Sequence, residues 1–241
     1  MLDEEAVAAA AVGLVVYRFT FYAEDGHLTV APTPLSPVRA LFRGFMMSGE
    51  AYEKLDSACR RLGVHLVESV AEYNATHYYP NAYPHLAAFS PLAFWTPVPS
   101  VKAATPALFE PALAALRAWP PATRVVIKDY VKSAKHVRPD LLDVAVDDAL
   151  PRRACELVEA RALRFNKGVV FKQRLPFGGH APNEWRLWLV HGRVVEVSPN
   201  TEQACGGARR PPAAVVAAAE AAAAAMGRPA FMTMDFAQGG D

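Results

Sequence analysis

A short turn between two apolar runs in the second half of the chain most constrains the fold. Residues 185–190 and 194–197 are rich in β-branched and aromatic side chains, and His191-Gly192 lies between them. Such a turn joins neighbouring antiparallel strands, whereas parallel strands need a long crossover connection. The same half contains predicted helices at 106–118, 152–163 and 211–226 and predicted strands at 124–128, 168–174 and 231–236. This arrangement predicts an α+β fold of antiparallel sheets with helices.

The first half of the chain alternates strand-like and helix-like segments. Residues 12–21 are predicted to form a strand and residues 64–67 a second, shorter one. Residues 48–63 are predicted to form a complete helix, which Ser48 can cap and Gly63 can end. Its buried face follows the helical spacing of four side chains: Tyr52, Leu55, Cys59 and Leu62. A small α/β domain is the expected result.

Residues 74–99 are interrupted by prolines. Prolines at 80, 84, 91, 97 and 99 alternate there with Tyr and Trp side chains. Because such spacing disfavours a long helix or a central strand, we predict an irregular segment whose aromatic side chains pack an ordered loop. We therefore place the domain boundary near residue 100, with an α/β domain at 1–100 and an α+β body at 101–241.

Charge and cysteine content exclude several classes of function. The 241-residue chain has a formal net charge of +1, which gives no general attraction for nucleic acid or anionic lipid. No apolar run reaches the roughly 20 residues that a bilayer-spanning helix needs. Cys59, Cys155 and Cys205 are widely spaced, which argues against a disulfide framework or a zinc site. We predict a cytoplasmic protein that acts on neither nucleic acid nor membranes; its oligomeric state is left open.

Several cations are placed where a phosphate ligand would favour them. The common glycine-rich phosphate loops are absent, so side chains would have to hold phosphate. Lys128 ends one predicted strand, Lys172 and Arg174 end another, and Arg186 lies inside a third. Desolvating a cation costs free energy unless an anion is near, so these positions indicate a shared anionic ligand. Alternatively, each side chain extends into solvent, and the pattern does not separate the two.

Two carboxylates extend this candidate site. Glu184 and Arg186 are two residues apart and share one face of their predicted strand, whereas Trp185, Leu187 and Leu189 form the other face. Asp235 lies in an otherwise apolar strand, with its side chain on the opposite face from Met234 and Phe236. Mg²⁺ bound to nucleotide phosphates is commonly held by one or two such carboxylates. A solvent-facing Asp235 is the alternative.

Four segments, taken in order, resemble the ATP-grasp superfamily, and within it the clade named for two arginines and one lysine. They are Val-Ile-Lys-Asp-Tyr-Val-Lys-Ser at 126–133, Gly-Val-Val-Phe-Lys-Gln-Arg-Leu at 168–175, Glu-Trp-Arg-Leu-Trp-Leu-Val-His-Gly-Arg-Val-Val at 184–195, and Thr-Met-Asp-Phe-Ala at 233–237. The N-terminal Phe-Arg-Gly-Phe-Met-Met at 42–47 is also similar to that clade. The resemblance implies an ATP-grasp fold preceded by a small α/β domain.

The resemblance also implies a function and a set of site residues. It implies an ATP-dependent carboxylate–amine ligase that uses ATP and Mg²⁺ and joins small-molecule or peptide acids to amines through an acyl phosphate. The expected roles are phosphate contact for Lys128, γ-phosphate and acyl-phosphate stabilisation for Arg186, and the first Mg²⁺ carboxylate for Asp235. The expected hinge strand, over which adenine lies, contributes Lys172, Gln173, Arg174 and Leu175, and Glu184 completes the nucleotide site. Lys172 and Arg186 are the expected catalytic residues.

Two departures from the clade pattern leave alternatives open. Lys172 occupies an arginine position, and lysine cannot make the planar bidentate contact of arginine, so Arg174 is the candidate substitute. The superfamily also carries a Glu-x-Asn metal motif on the strand after the Asp strand, and no such motif follows Asp235 before Asp241. The alternatives are a nucleotide-binding protein without ligase turnover, and a non-enzymatic interaction module that uses residues 74–99.

Overall fold

The computed structural model describes residues 2–175, 183–199 and 210–238 and contains two compact units. The units are Met1–Tyr73 and Asn74–Asp241. The sequence places the boundary near residue 100, whereas the chain divides earlier because residues 74–99 supply a strand to the second unit. Within the described part of the chain, no helix combines the length and apolar character needed to cross a membrane.

The first unit is a small α/β layer. Its elements, in order, are α1 (Leu2–Ala11), β1 (Arg18–Tyr22), β2 (His27–Ala31), β3 (Val38–Ala40), α2 (Gly49–Arg61), β4 (Val64–Leu66) and the first turn of α3 (Val70–His77). Strands β1 and β2 form an antiparallel hairpin, and β3 pairs with β4 in parallel. Helix α2 makes the crossover that such a parallel pair requires.

Helix α2 confirms the predicted capping and corrects one core residue. The hydroxyl of Ser48 accepts a hydrogen bond of 3.2 Å from the Ala51 N–H, and Gly63 ends the helix at φ +73°. Tyr52, Leu55 and Cys59 are buried as predicted. Leu62 is 39% exposed, so its placement in the core was wrong. It follows the last helical residue, Arg61, where helical spacing no longer directs a side chain inward.

The predicted strand at 12–21 begins later than expected. Helix α1 occupies Leu2–Ala11, and Gly13, at φ +79°, donates a hydrogen bond to the carbonyl of Ala10 and ends it. Strand pairing then starts only at Arg18, which lies opposite Ala31. The apolar side chains before Arg18 were misassigned because a continuous apolar run does not distinguish a helix end from a strand.

The first part of the second unit is a four-stranded antiparallel sheet covered by helices. Its elements are α4 (Tyr79–Leu86), β5 (Ala93–Pro97), α5 (Pro106–Arg117), β6 (Arg124–Asp129), β7 (Val144–Ala145), α6 (Leu150–Arg161) and β8 (Gly168–Gln173). The strand order is β5-β8-β6-β7. One face of the sheet packs on α5 and α6 through a core that includes Ile127, Phe171, Phe109 and Leu157.

The prediction that residues 74–99 are irregular was wrong. The segment contains most of α3, all of α4 and strand β5. Pro80 lies in the first turn of α4, where a missing N–H costs nothing, and α4 ends two residues after Pro84. Strand β5 lies at an edge of its sheet, which is where a strand ending at a proline is tolerated. The prolines therefore shorten these elements without abolishing them.

A three-stranded antiparallel sheet completes the second unit. It contains β9 (Asn183–Val190), β10 (Arg193–Pro199) and β11 (Phe231–Gln238) in the order β10-β9-β11, and α7 (Ala213–Ala225) covers one face. The turn between β9 and β10 has φ +47° at His191 and +75° at Gly192, as a type I′ hairpin requires. The structure therefore confirms the predicted antiparallel α+β architecture.

Candidate functional site

Lys128 and Lys172 lie on the face of the four-stranded sheet that faces away from α5 and α6. In the pairing of β6 with β8, Lys128 is opposite Val170, and Lys172 is opposite Val126. Directly opposite residues share a face, so the two lysines are diagonal neighbours on one surface. The alternate residues of β6 point into the core, which explains why the strand combines apolar residues with a cation.

The environment of the two lysines disfavours their charge. Burial, followed by repulsion from Lys172, lowers the pKa of Lys128 to about 8, whereas the nearby carboxylate of Asp129 acts in the opposite direction. Burial also lowers the pKa of Lys172, and Glu184 opposes that shift. Two largely buried cations that repel each other need an anionic ligand to offset the cost of burial. The geometry therefore favours the anion-binding interpretation of these lysines over the solvent-facing one.

An aromatic ring contacts both cations. The Nζ atom of Lys128 is 5.1 Å from the ring centroid of Tyr79, and that of Lys172 is 5.3 Å from the same centroid. Tyr79 begins α4, the helix that covers this face of the sheet together with the aromatic cluster around Tyr78 and Trp95. Both distances lie within the range of a cation–π interaction. Sequence reasoning missed Tyr79 because no spacing pattern relates it to β6 or β8.

Arg174 is held away from the role proposed for it as a substitute arginine. It directly follows β8, and one of its guanidinium nitrogens lies 3.3 Å from a carboxylate oxygen of Asp143. The same carboxylate pairs with Arg124. Both arginines are about half exposed, so their cluster is a surface network. The structure thus places Lys172, rather than Arg174, beside Lys128.

The other two hinge residues contribute main-chain and surface positions. The N–H of Gln173 donates to the carbonyl of Leu92 at 2.7 Å, and its side-chain oxygen accepts from the Leu92 N–H at 3.4 Å. These contacts fix the end of β8 against the chain that leads into β5. Leu175 is 37% exposed. The assignment of both residues to nucleotide binding stays a prediction.

Asp129 is a buried structural carboxylate immediately after Lys128. It is fully buried, and the guanidinium of Arg161 donates to it at 2.9 Å. Its other oxygen accepts hydrogen bonds from the N–H groups of Val131 and Lys132. These contacts fold the chain back onto β6, where Ser133 bridges to Lys128. Asp129 therefore orders the turn that carries the chain away from Lys128.

The three-stranded sheet presents Glu184, Arg186 and Asp235 on its face away from α7. Asp235 of β11 lies directly opposite Arg186 of β9. The guanidinium of Arg186 donates two hydrogen bonds of 2.8 Å to the carboxylate of Asp235. Glu184 precedes Arg186 on the same face and acts electrostatically on both Lys172 and Arg186. Charged faces of both sheets are thereby linked through Glu184.

The donor set suits phosphate more clearly than it suits a metal ion. Lys128, Lys172 and Arg186 supply N–H donors in two sheets, as a polyphosphate would require. In the ranges that the structure describes, no three His, Cys, Asp or Glu side chains group closely enough to hold a metal. Asp235 is nevertheless 43% exposed and can offer one carboxylate to Mg²⁺ that is also bound by phosphate.

Some predicted features lie outside the described residues. The substrate-selecting loops expected at 176–183 and 199–210 fall almost wholly outside them, as do Cys205 and Asp241. The other two cysteines, Cys59 and Cys155, are free and buried.

Solved structures share this fold at low sequence identity. The ATP-grasp ligase PsnB, in complex with precursor peptide PsnA2 and AMPPNP, matches with a TM-score of 0.53 and 13% identity over 100% of this chain and 80% of that chain. The D-cycloserine synthetase DcsG matches with a TM-score of 0.51 and 18% identity over 80% of this chain and 68% of that chain. A search of curated proteins found no match.

A family model gives the assignment at the level of sequence. The model describes the third family of ATP-grasp domains in the clade named for two arginines and one lysine, and it matches residues 109–241, which is more than half of the chain. The matched range contains Lys128, Lys172, Arg186 and Asp235 and begins inside α5. The antiparallel sheets and the cation-bearing faces agree with this match and with the resemblance in the sequence. The chain belongs to this third family of the two-arginine, one-lysine clade of ATP-grasp domains.

Proposed function

We propose that this protein is an ATP-dependent ligase that joins a carboxylate to an amine through an acyl phosphate. The observation that carries the proposal is the pairing of Lys128 and Lys172 on one sheet face, with Arg186 on the neighbouring sheet. Family membership supports nucleotide binding by this surface. Two adjacent lysines whose burial disfavours their charge are suited to the concentrated negative charge of a nucleotide polyphosphate.

The proposed reaction has two steps. An oxygen of the acid attacks the γ-phosphorus of ATP, the bond to the bridging β–γ oxygen breaks, and ADP leaves. The amine nitrogen then attacks the acyl carbon, the bond from that carbon to the phosphate oxygen breaks, and the nitrogen loses a proton as inorganic phosphate departs. Both steps develop charge on phosphate oxygens, so preorganised cations lower their barriers.

Each site residue has a proposed part in this chemistry. Lys128 and Lys172 hold phosphate oxygens, and Arg186 stabilises the transferred group once it exchanges Asp235 for phosphate. Asp235 then offers its carboxylate to Mg²⁺, which neutralises phosphate charge when it is bound. Lysine makes a point contact where the clade has a bidentate arginine, so Lys172 gives weaker geometric control of the phosphate.

The proposed substrates are a small-molecule or peptide acid and an amine. A peptide is supported by the structural likeness to PsnB, which was solved with a precursor peptide, and a small molecule by the likeness to a D-cycloserine synthetase. We also propose a cytoplasmic location, supported by the free thiols of Cys59 and Cys155.

Trapping of the acyl phosphate tests this proposal without knowledge of the natural amine. The protein is incubated with MgATP, hydroxylamine and a panel of amino acids and peptides, and both ADP and hydroxamate are measured. We expect acid-dependent formation of both products by wild type and their loss in Lys128→Ala and Arg186→Ala. The exposed Lys132 provides a matched control, because Lys132→Ala removes a nearby lysine outside the proposed site.

One structural observation favours a second candidate function, nucleotide binding without turnover. Arg186 and Asp235 occupy each other through two hydrogen bonds, so the groups proposed for phosphate and Mg²⁺ are mutually satisfied. Tight MgATP binding with no ADP or hydroxamate across the whole panel would support this candidate. Absence of any MgATP-dependent thermal shift would contradict both candidates and favour a non-enzymatic interaction module.

A further inference from the structure

Two lysines of like charge lie side by side on the sheet without a carboxylate of their own. Among the residues that the structure describes, no carboxylate oxygen lies within ion-pair distance of Lys128 or Lys172. The nearest acidic influences are Asp129 and Glu184, and Asp129 is already engaged by Arg161. Some other group must therefore hold the two ammonium groups on the same face before a ligand arrives.

The ring of Tyr79 is that group. Its centroid lies 5.1 Å from Nζ of Lys128 and 5.3 Å from Nζ of Lys172, so one π system attracts both cations. A ring differs from a carboxylate in one important respect: it attracts the ammonium groups without neutralising them. A phosphate can therefore bind without first breaking an ion pair.

Tyr79 is itself fixed by its surroundings. Its N–H donates to the carbonyl of Tyr130 at 2.8 Å, and its hydroxyl shares a hydrogen bond of 3.0 Å with Ser90. Its ring contacts Tyr83 at 5.5 Å between centroids, and Tyr83 packs edge-on against Trp95 at 5.7 Å. The ring is thus anchored at three points and has little freedom to follow the lysines.

We propose that Tyr79 is a positioning residue that holds Lys128 and Lys172 together in their charged, phosphate-ready arrangement. This inference rests on the proposed function, because it assumes that the two lysines bind the nucleotide phosphates. It adds a residue outside the range matched by the family model, which begins at 109. The helix α4 thereby contributes to the site although it precedes the matched domain in the chain.

The proposal separates phosphate binding from binding of the nucleoside. Because Tyr79 acts through the lysines, its loss should weaken ligands that carry the polyphosphate and spare those that do not. We would measure Kd by calorimetry for AMPPNP with Mg²⁺ and for adenosine. Tyr79→Leu should weaken AMPPNP by about tenfold, since two cation–π contacts are lost, and should change adenosine binding by less than about twofold. Tyr79→Phe keeps the ring and should retain AMPPNP binding.

A second series keeps the shape of the ring constant in case Tyr79→Leu does not fold. Progressively fluorinated phenylalanines at position 79 preserve the packing but withdraw the negative charge of the ring face. AMPPNP binding should weaken with each added fluorine, whereas adenosine binding and the melting temperature should not follow that order. Ser90→Ala serves as a control, because it removes the hydroxyl partner and leaves the ring in place.

Distinct results would overturn this inference and the proposed function. If wild type binds AMPPNP and Lys128→Ala loses it, but fluorination has no graded effect, Tyr79 is not a positioning residue. Equal weakening of AMPPNP and adenosine would reduce Tyr79 to a general packing role and would also overturn the inference. If wild type itself does not bind AMPPNP, the proposed function fails first.

Discussion

Arg186 and Asp235 face each other across β9 and β11 and are joined by two hydrogen bonds of 2.8 Å. The resemblance in the sequence assigns one to phosphate and the other to Mg²⁺, so the structure shows that the two assignments concern one ion pair. The side chains are 34% and 43% exposed, and an exposed pair of this kind contributes about 0–1 kcal/mol. Phosphate and Mg²⁺ could therefore replace the pair at little cost.

The first prediction separates stability from ligand binding at this pair. Arg186→Ala should lower the free energy of unfolding by less than about 1 kcal/mol, because the pair is partly exposed. The same substitution should weaken AMPPNP binding by at least about tenfold, because it removes a charge-assisted contact to phosphate. Urea denaturation and calorimetry measure the two effects.

Arg193 supplies the matched control for that prediction. It also lies in the three-stranded sheet, but its ion pair of 3.1 Å is with Glu220 of α7, the helix on the other face. Arg193→Ala should have a similar small effect on stability and no effect on AMPPNP binding. Equal binding losses in the two variants would contradict the assignment of Arg186 to the site.

The second prediction concerns the pH dependence of nucleotide affinity. Burial lowers the pKa of Lys128 to about 8, so the ammonium form that binds phosphate is lost as the pH rises through that value. Affinity for AMPPNP should fall by about tenfold between pH 7 and pH 9, in proportion to the charged fraction. Lys128→Arg should show a smaller fall, since arginine stays charged. An identical fall in both proteins would exclude Lys128 as the titrating group.

The third prediction follows from the same pKa by linkage. Because folding lowers the pKa of Lys128 from 10.5 to about 8, the unfolded chain binds more protons than the folded protein between those values. The buried charge therefore costs stability fully below about pH 8, and this cost is relieved as the pH rises towards 10.5. Lys128→Met should exceed wild type in unfolding free energy by about 2–3 kcal/mol at pH 7. The difference should shrink at pH 10, and a constant difference would contradict the sign.

The fourth prediction concerns Asp129, which is fully buried and paired with Arg161. Asp129→Ala leaves Arg161 without this carboxylate and two turn N–H groups without an acceptor, so it should destabilise the fold by about 3 kcal/mol. Asp148 is the control, because it is 93% exposed although it pairs with Arg117. Asp148→Ala should be nearly neutral in chemical denaturation. Similar losses in the two variants would contradict a special role for the buried pair.

Local patterns were sufficient to predict most of the second unit. Strands such as β6 and β9 alternate between two faces, and His191-Gly192 specifies a tight antiparallel turn, so period and turn chemistry were decisive. The cations were identified by their unusual place in such strands. The bidentate partnership of Arg186 with Asp235 was not predicted, because sequence spacing does not give the register between β9 and β11.

The features that sequence reasoning missed all depend on contacts between distant segments. Tyr79 and Lys128 are far apart in the chain, and only the packing of α4 on the sheet brings them together. The buried pair of Asp129 with Arg161 likewise joins β6 to the end of α6. Segment 74–99 was misread because proline statistics describe average tolerance, whereas short helices and an edge strand accommodate proline.

The central claim is that cations on two sheets bind one nucleotide, and a double-mutant cycle tests it most directly. Calorimetry with AMPPNP and Mg²⁺ would be performed on wild type, Lys128→Met, Arg186→Met and the double variant. We predict that wild type binds one nucleotide per chain, that each single substitution weakens Kd by at least about tenfold, and that the double variant binds no more tightly than either. Equal Kd values in all four proteins, or no binding by wild type, would contradict the account.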